Sequence, residues 1–168
     1  RNGLEGVTAM DTFPGYTPPV VVGYINYGNV NMWGFDASLT GLINLEWSLD
    51  LTYSYLGMTE FLNPITNSVD PINAPRHKAG MKLQYSPRKY PFTASLNGRF
   101  VDGFKWSSGI YFGNIQPYTV IDLHLGYKIN DILKANFTAS NLFNSRHTEI
   151  IGGPPMGRVA ILRFTTTF

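Results

Sequence analysis

The stretch Tyr118-Thr119-Val120-Ile121-Asp122-Leu123-His124-Leu125-Gly126-Tyr127-Lys128-Ile129 decides how this chain reads. One alternate set is Thr119, Ile121, Leu123, Leu125, Tyr127 and Ile129. The other is Tyr118, Val120, Asp122, His124, Gly126 and Lys128. A period of two is that of a β-strand, whose successive side chains point to opposite faces. An apolar face opposite Asp, His and Lys suits a wall with lipid on one side and a wet lumen on the other.

The same alternation recurs along most of the sequence. Trp47, Leu49, Leu51, Tyr53 and Tyr55 alternate with Ser48, Asp50, Thr52 and Ser54. His77, Ala79, Met81, Leu83 and Tyr85 oppose Arg76, Lys78, Gly80, Lys82 and Gln84, and Phe92, Ala94, Leu96, Gly98 and Phe100 oppose Thr93, Ser95, Asn97 and Arg99. Leu133, Ala135, Phe137 and Ala139 oppose Lys134, Asn136, Thr138 and Ser140. Ala160, Leu162, Phe164 and Phe168 oppose Arg163, Thr165 and Thr167. A long strand from about Val20 to Ile43 carries Trp33, Phe35, Ala37 and Leu39 against Asp36, Ser38 and Thr40, with Gly28 or Gly34 marking a bulge.

Composition narrows the class. Charged residues are 14% of the 168, against about 25% in a typical globular protein, while 11 Phe, 10 Tyr and 3 Trp make up another 14%. A water-facing surface built that way would aggregate. No apolar run approaches the roughly 18 residues of a membrane-spanning helix, and the mean hydropathy is −0.08. The hydrophobicity is therefore carried by alternation. An antiparallel sandwich also alternates. Charges in mid-strand (Lys82, Arg99, Asp122, Lys128) and rings at strand ends favour an outer-membrane barrel with aromatic girdles. With no cysteine, disulfides, thiolate metal sites and cysteine nucleophiles are excluded. A net charge of +2, scattered along the chain, gives no basis for nucleic-acid binding.

Connection lengths alternate as well. Gly41 to Glu46, Ser86 to Pro91 and Asn130 to Ile132 read as short periplasmic turns, and 61–74, 107–116 and 144–156 as long extracellular loops. Residues 1–19, with Pro14, Pro18 and Pro19, show no strand pattern and read as a further extracellular loop. Residues 20–168 then form about seven antiparallel transmembrane strands. Single-chain bacterial barrels have an even number, and an open sheet in lipid leaves two unpaired edges. The expectation is the C-terminal segment of a larger barrel, opening in an extracellular loop.

Four motifs carry a family resemblance. Tyr24-x-Asn26-x-Gly28-x-Val30 followed by Gly34-Phe35-Asp36, then Asn73-Ala74-Pro75-Arg76-His77, Asn141-Leu142-Phe143-Asn144, and Gly157-Arg158 before a final strand ending on Phe168 resemble TonB-dependent outer-membrane receptors. They keep the family's order across about residues 20–168, and the style looks most like receptors of the Bacteroidetes type. Asp36 stands where glutamate is commoner, and His147 where a tyrosine usually follows. The resemblance implies a 22-stranded barrel in the bacterial outer membrane, a terminal aromatic (Phe168) read by the barrel-assembly machinery, and energised uptake of a scarce nutrient such as a siderophore, cobalamin, glycan or peptide. The partners it implies are the lipid bilayer, an upstream barrel and plug segment of the same receptor, and the TonB energy-transducing system. It also leaves room for a surface lipoprotein.

No catalytic or metal constellation is present: His77, His124 and His147 lack ligand spacing to one another or to a carboxylate. No cofactor is implied. Gly152-Gly153-Pro154-Pro155 lacks the Lys-Ser/Thr of a phosphate loop and reads as a turn. Asp122 and His124 share the lumen side of one strand, either to contact a plug or simply to keep the lumen wet. Trp106, Tyr111, Phe112, Arg146 and His147 are the loop residues with most capacity for ligand contact, the rings by stacking and Arg146 by pairing with an anion. Interfacial anchoring and solvation are the alternative roles for the same side chains. A small passive porin, or an outer-membrane hydrolase with a Ser-His or acid-base cluster, are the rival functions.

Overall fold

The computed structural model describes residues 2–8, 22–64, 67–108 and 111–167. Among the described residues thirteen strands run in chain order: β1 Asn2–Thr8, β2 Val22–Asn29, β3 Gly34–Leu42, β4 Trp47–Leu56, β5 Glu60–Leu62, β6 Val69–Pro71, β7 His77–Tyr85, β8 Phe92–Val101, β9 Phe104–Ser108, β10 Tyr111–Ile115, β11 Tyr118–Lys128, β12 Leu133–Ser140 and β13 Val159–Thr166. Seven of them make one sheet in the order β13-β12-β11-β8-β7-β4-β3, antiparallel throughout. These are the seven wall strands the alternation predicts. Each pairs only with its neighbours along the chain, apart from the small hairpins set into the outer loops.

Register turns the alternation of single strands into two continuous faces. Across the outward face run Leu49, Leu83, Leu96, Leu123, Ala139 and Ala160, each opposite the next. Toward one rim this band ends in Trp47 stacked on Tyr85 (centroids 4.5 Å apart), with Phe92 edge-on to Tyr85 at 5.6 Å. Toward the other it ends in Trp33, Phe35, Tyr53, Tyr55 and His77, with centroids 5.3 to 6.1 Å apart. The Tyr53 hydroxyl meets His77 Nδ1 at 2.8 Å, so its polar end is satisfied within the belt. Trp47 and Tyr55 lie eight residues apart on β4, about 27 Å along a strand and about 21 Å along the membrane normal at the usual tilt of about 40°. That separation matches two aromatic girdles bracketing a hydrocarbon core. On the opposite face Asp50, Lys82, Asn97 and Asp122 form one cross-strand row, and Gln84, Ser95, His124 and Thr138 another.

Two of the three short turns are built by asparagine. Asn44 Oδ1 accepts from the amides of Glu46 and Trp47 at 2.8 and 2.9 Å. Asn130 Oδ1 does the same for Ile132 and Leu133 at 2.9 and 2.8 Å. Each side chain substitutes for a backbone acceptor and closes the hairpin. At the second turn Lys128 Nζ lies 2.6 Å from Asp131, and this hydrogen bond and charge hold the Asp131 carboxyl below the usual carboxylate range.

The structure corrects three expectations. The segment from Val20 to Ile43 is two strands rather than one: the chain leaves the ladder at 30–33, where Gly57 N donates to Trp33 O at 2.9 Å and the Trp33 ring lies directly on Gly57. A side chain at position 57 would occupy the ring's place. Residues 1–19 are not strandless, because β1 pairs antiparallel with β2; residues 1 and 9–21 lie outside the described residues, as does Phe168. The long connections 61–74 and 107–116 contain strands as well, the hairpins β5–β6 and β9–β10.

Placing a charge on the outward face tests the register. Leu123→Arg is expected to destabilise the assembled barrel by about 2–4 kcal/mol, and Ser95→Arg on the opposite face by less than about 1 kcal/mol. Urea titration of the heat-modifiable form in lipid measures both.

Candidate functional site

Three long connections, 57–76, 102–117 and 141–158, leave the same rim. The last begins with a clamp made by the Asn-Leu-Phe-Asn motif. Asn141 and Asn144 hold φ values of 53° and 54°, the left-handed region that asparagine tolerates. Asn141 is buried. Its amide donates to Asp122 Oδ1 at 2.8 Å, its Nδ2 to Ser145 O at 2.9 Å, and its Oδ1 accepts from Ser145 N at 2.8 Å. Leu142 N donates to Ile121 O at 2.7 Å, and Asn144 Oδ1 accepts from Arg158 N at 3.0 Å. The motif therefore folds the departing chain back over the lumen face of β11. Asp122 receives that turn.

Three residues beyond the motif, the loop is fastened again. The His147 ring stacks on Tyr118, with centroids 4.2 Å apart and planes at 22°. Its side chain is only 5% exposed. Nδ1 lies 2.8 Å from Ser145 O, and Nε2 lies 3.1 Å from Glu149 Oε1. The same carboxylate oxygen is 3.1 Å from Arg99 Nη2 on β8. His147 also bridges to Met156 through the backbone, which closes the loop on itself.

The loops interlock. Asn73 exchanges two 2.8 Å hydrogen bonds with the backbone of Ser107, and Lys105 pairs with Glu60 at 2.8 Å, so the β5–β6 loop is tied to the β9–β10 hairpin. Ile151 packs on Gly113, and Gly152, at φ 86°, lies under the Tyr111 ring; a Cβ there would come within 2.7 Å of it. Gly152 is thus required both by its backbone and by the ring above it.

The predicted contact residues separate in space. Trp106 and Tyr111 share the face of the β9–β10 hairpin that also carries Gly113, while Phe112 lies on the other face with Ser107 and Lys105. Phe112 is 79% exposed and Arg146 is exposed. His147 faces inward. His124 meets Thr138 Oγ1 at 3.2 Å and lines a depression of about 270 Å³ with Gln84, Ser95, Gly126 and Asn136. Sequence reasoning missed Arg99 and Glu149 as partners. They are 50 residues apart and only the register brings them together.

The clamp predicts a graded outcome. Asn141→Ala is expected to cost about 2–3 kcal/mol of local stability, since it removes two bonds to Ser145 and strains the backbone. Asn141→Gly, which keeps the backbone, should cost less. Amide exchange across 141–158 measures both, with β7 and β8 as the unaffected reference.

Comparison with known proteins places this geometry. The sequence matches, over residues 4–142, the family described as TonB dependent receptor-like, beta-barrel. No curated sequence matches. Among solved structures, the closed form of the ferric-catecholate import receptor Fiu from E. coli K12 is similar at 21% identity and a TM-score of 0.65, over 87% of this chain and 22% of that one. A variant of the ferric enterobactin receptor PfeA from Pseudomonas aeruginosa aligns at 16% identity and a TM-score of 0.69, over 100% of this chain and 27% of that one. The copper transporter OprC aligns at 17% identity and a TM-score of 0.70, over 89% and 25%. These likenesses are of fold. The chain spans about a quarter of the receptors it resembles. Two lipid-facing girdles, a polar inner face and the family match over most of its length make this chain a member of the TonB-dependent receptor β-barrel family of the bacterial outer membrane.

Proposed function

We propose that this chain supplies seven wall strands and three ligand-facing loops to a receptor for energised uptake of a scarce nutrient, a metal chelate before a glycan or peptide. The observation that carries the reading is the family match combined with three loops interlocked above one rim. The chelate preference rests on neighbours of the same fold whose names specify ferric-catecholate, ferric enterobactin and copper transport.

In this reading the open edges of β3 and β13 pair with further strands of the receptor, because unpaired backbone groups in hydrocarbon cost several kcal/mol each. A plug occupies the lumen and meets the polar face of β11 around Asp122 and His124. The TonB system supplies the energy through that plug, and a surface lipoprotein is an additional partner at the loops. Phe112 and Arg146 are the first contacts for a ligand: an exposed ring for stacking and a guanidinium for an anionic chelator. Trp106 and Tyr111 present their rings on the opposite face of the hairpin from Phe112, and His147 sets the position of the loop that carries Arg146.

Uptake by cells expressing the whole receptor tests this. Accumulation of a ferric chelate should stop when the proton-motive force is collapsed, and Phe112→Ala or Arg146→Ala should weaken capture by about tenfold each while assembly is unchanged. Uptake that survives loss of the proton-motive force would make the protein a passive porin.

A further inference from the structure

Four cations share the inner side of two neighbouring wall strands. Lys78 and Lys82 belong to the inward set of β7, and Arg76 precedes them in the same alternation. Arg99 stands opposite Gly80 on β8, midway between the two lysines. Neither β7 nor β8 carries a carboxylate. Arg99 pairs with Glu149, whereas Arg76, Lys78 and Lys82 make no ion pair among the described residues. Gly80 puts no side chain between the lysines, and the Thr52 hydroxyl leans into that gap, 2.5 Å from where a Cβ at Gly80 would stand. Ammonium and guanidinium groups both bind carboxylate and phosphate oxygens. We propose that this stripe is a binding lane for multiply charged oxyanions, leading from the outer rim down the wall to Lys82.

Spacing makes the four act together. Arg76 and Lys82 are six residues apart, about 20 Å along a strand and about 15 Å along the membrane normal at the usual tilt. Neighbouring members of the stripe stand within about one Debye length, so their fields add, and the hydrocarbon behind the wall screens them less than water would. Acidic side chains border the stripe without interrupting it. Asp36 and Asp50 lie on the β3–β4 side, and Asp122, which accepts from Asn141 N, lies on β11. An anion is thereby repelled from both flanks and confined to β7 and β8. At the top, Arg76 lines a hollow of about 250 Å³ with Thr59, Glu60, Asp102 and Lys105. The hollow is balanced in charge, with Glu60 on Lys105 at 2.8 Å, and the balance turns positive from Lys78 downward. Because the lane runs up into a hollow between the loops 57–76 and 102–117, it suits a solute arriving from outside better than an acidic face of a plug. Its use in uptake rests on the transport reading, whereas the anion preference of the lane does not.

Thr52→Cys in the whole receptor, as its one reactive thiol, places a reporter between Lys78, Lys82 and Arg99. Labelling in outer-membrane vesicles compares an anionic sulfonatoethyl methanethiosulfonate with a cationic trimethylammonioethyl one. Each rate is divided by that reagent's rate with a small free thiol. On this scale the anionic reagent is expected to react about tenfold faster at low salt, and the preference should fade at high salt. Inorganic pyrophosphate bound in the lane should slow both reagents, whereas screening alone would speed the cationic one. Lys78→Gln combined with Lys82→Gln changes two exposed side chains, so heat-modifiability should be unchanged while the preference and the pyrophosphate protection are lost. Equal normalised rates, failure of both reagents to react because a plug face covers the lane, or a preference that survives the double substitution would overturn the proposal. A ferric chelate that is not taken up, with the labelling pattern intact, would count against the transport reading alone.

Discussion

In hydrocarbon no water is available to satisfy a backbone amide, so every N–H and C=O crossing the core must find a partner on a neighbouring strand. The rest of the molecule depends on that constraint. Strands must be antiparallel or closed by long crossovers, and here each wall strand simply returns beside the last. Once the ladder is fixed, side chains have only two directions, outward to lipid or inward to water. Leu49, Leu83, Leu96 and Leu123 lie in one outward row because a slip of one residue would bring Asp50, Lys82 and Asp122 into the acyl chains. The girdles follow from the same geometry, since rings with a polar edge rest best where the band meets water.

Polar side chains do the equivalent work at the rims. At the inner turns Asn44 and Asn130 use one oxygen each to accept from two amides. At the outer rim Asp122, Asn144 and Asn73 do it over longer spans, joining loop to wall and loop to loop. Few hydrophobic side chains are fully buried among the described residues: Ile115, Val120 and Ala139. Rigidity in the loops therefore comes from hydrogen bonds and close approach at glycine, not from a core.

How much of this was legible follows from the range of each interaction. The seven wall strands and their faces were readable because alternation repeats over eight to eleven residues. The hairpin β5–β6 has strands of three residues, too short for a period to show, and β9–β10 lies in a stretch whose Gly and Asn content reads as loop. The break at 30–33 depends on Trp33 reaching Gly57, a contact that no local pattern encodes. At the site, Arg146 and Phe112 were visible as exposed chemistry. The role of His147 was hidden, since its surroundings come from β8, β11 and its own loop at once.

Pairing each wall strand with its predecessor also makes the wall a series of separable units. Adding or removing one hairpin alters the circumference of a barrel without rethreading any other connection. Each loop can change length while the ladder below it keeps its register. Evolution can therefore alter what such a wall captures by editing single hairpins. The exception is the set joined by Asn73, Lys105 and Ile151, where three loops are coupled and must change together.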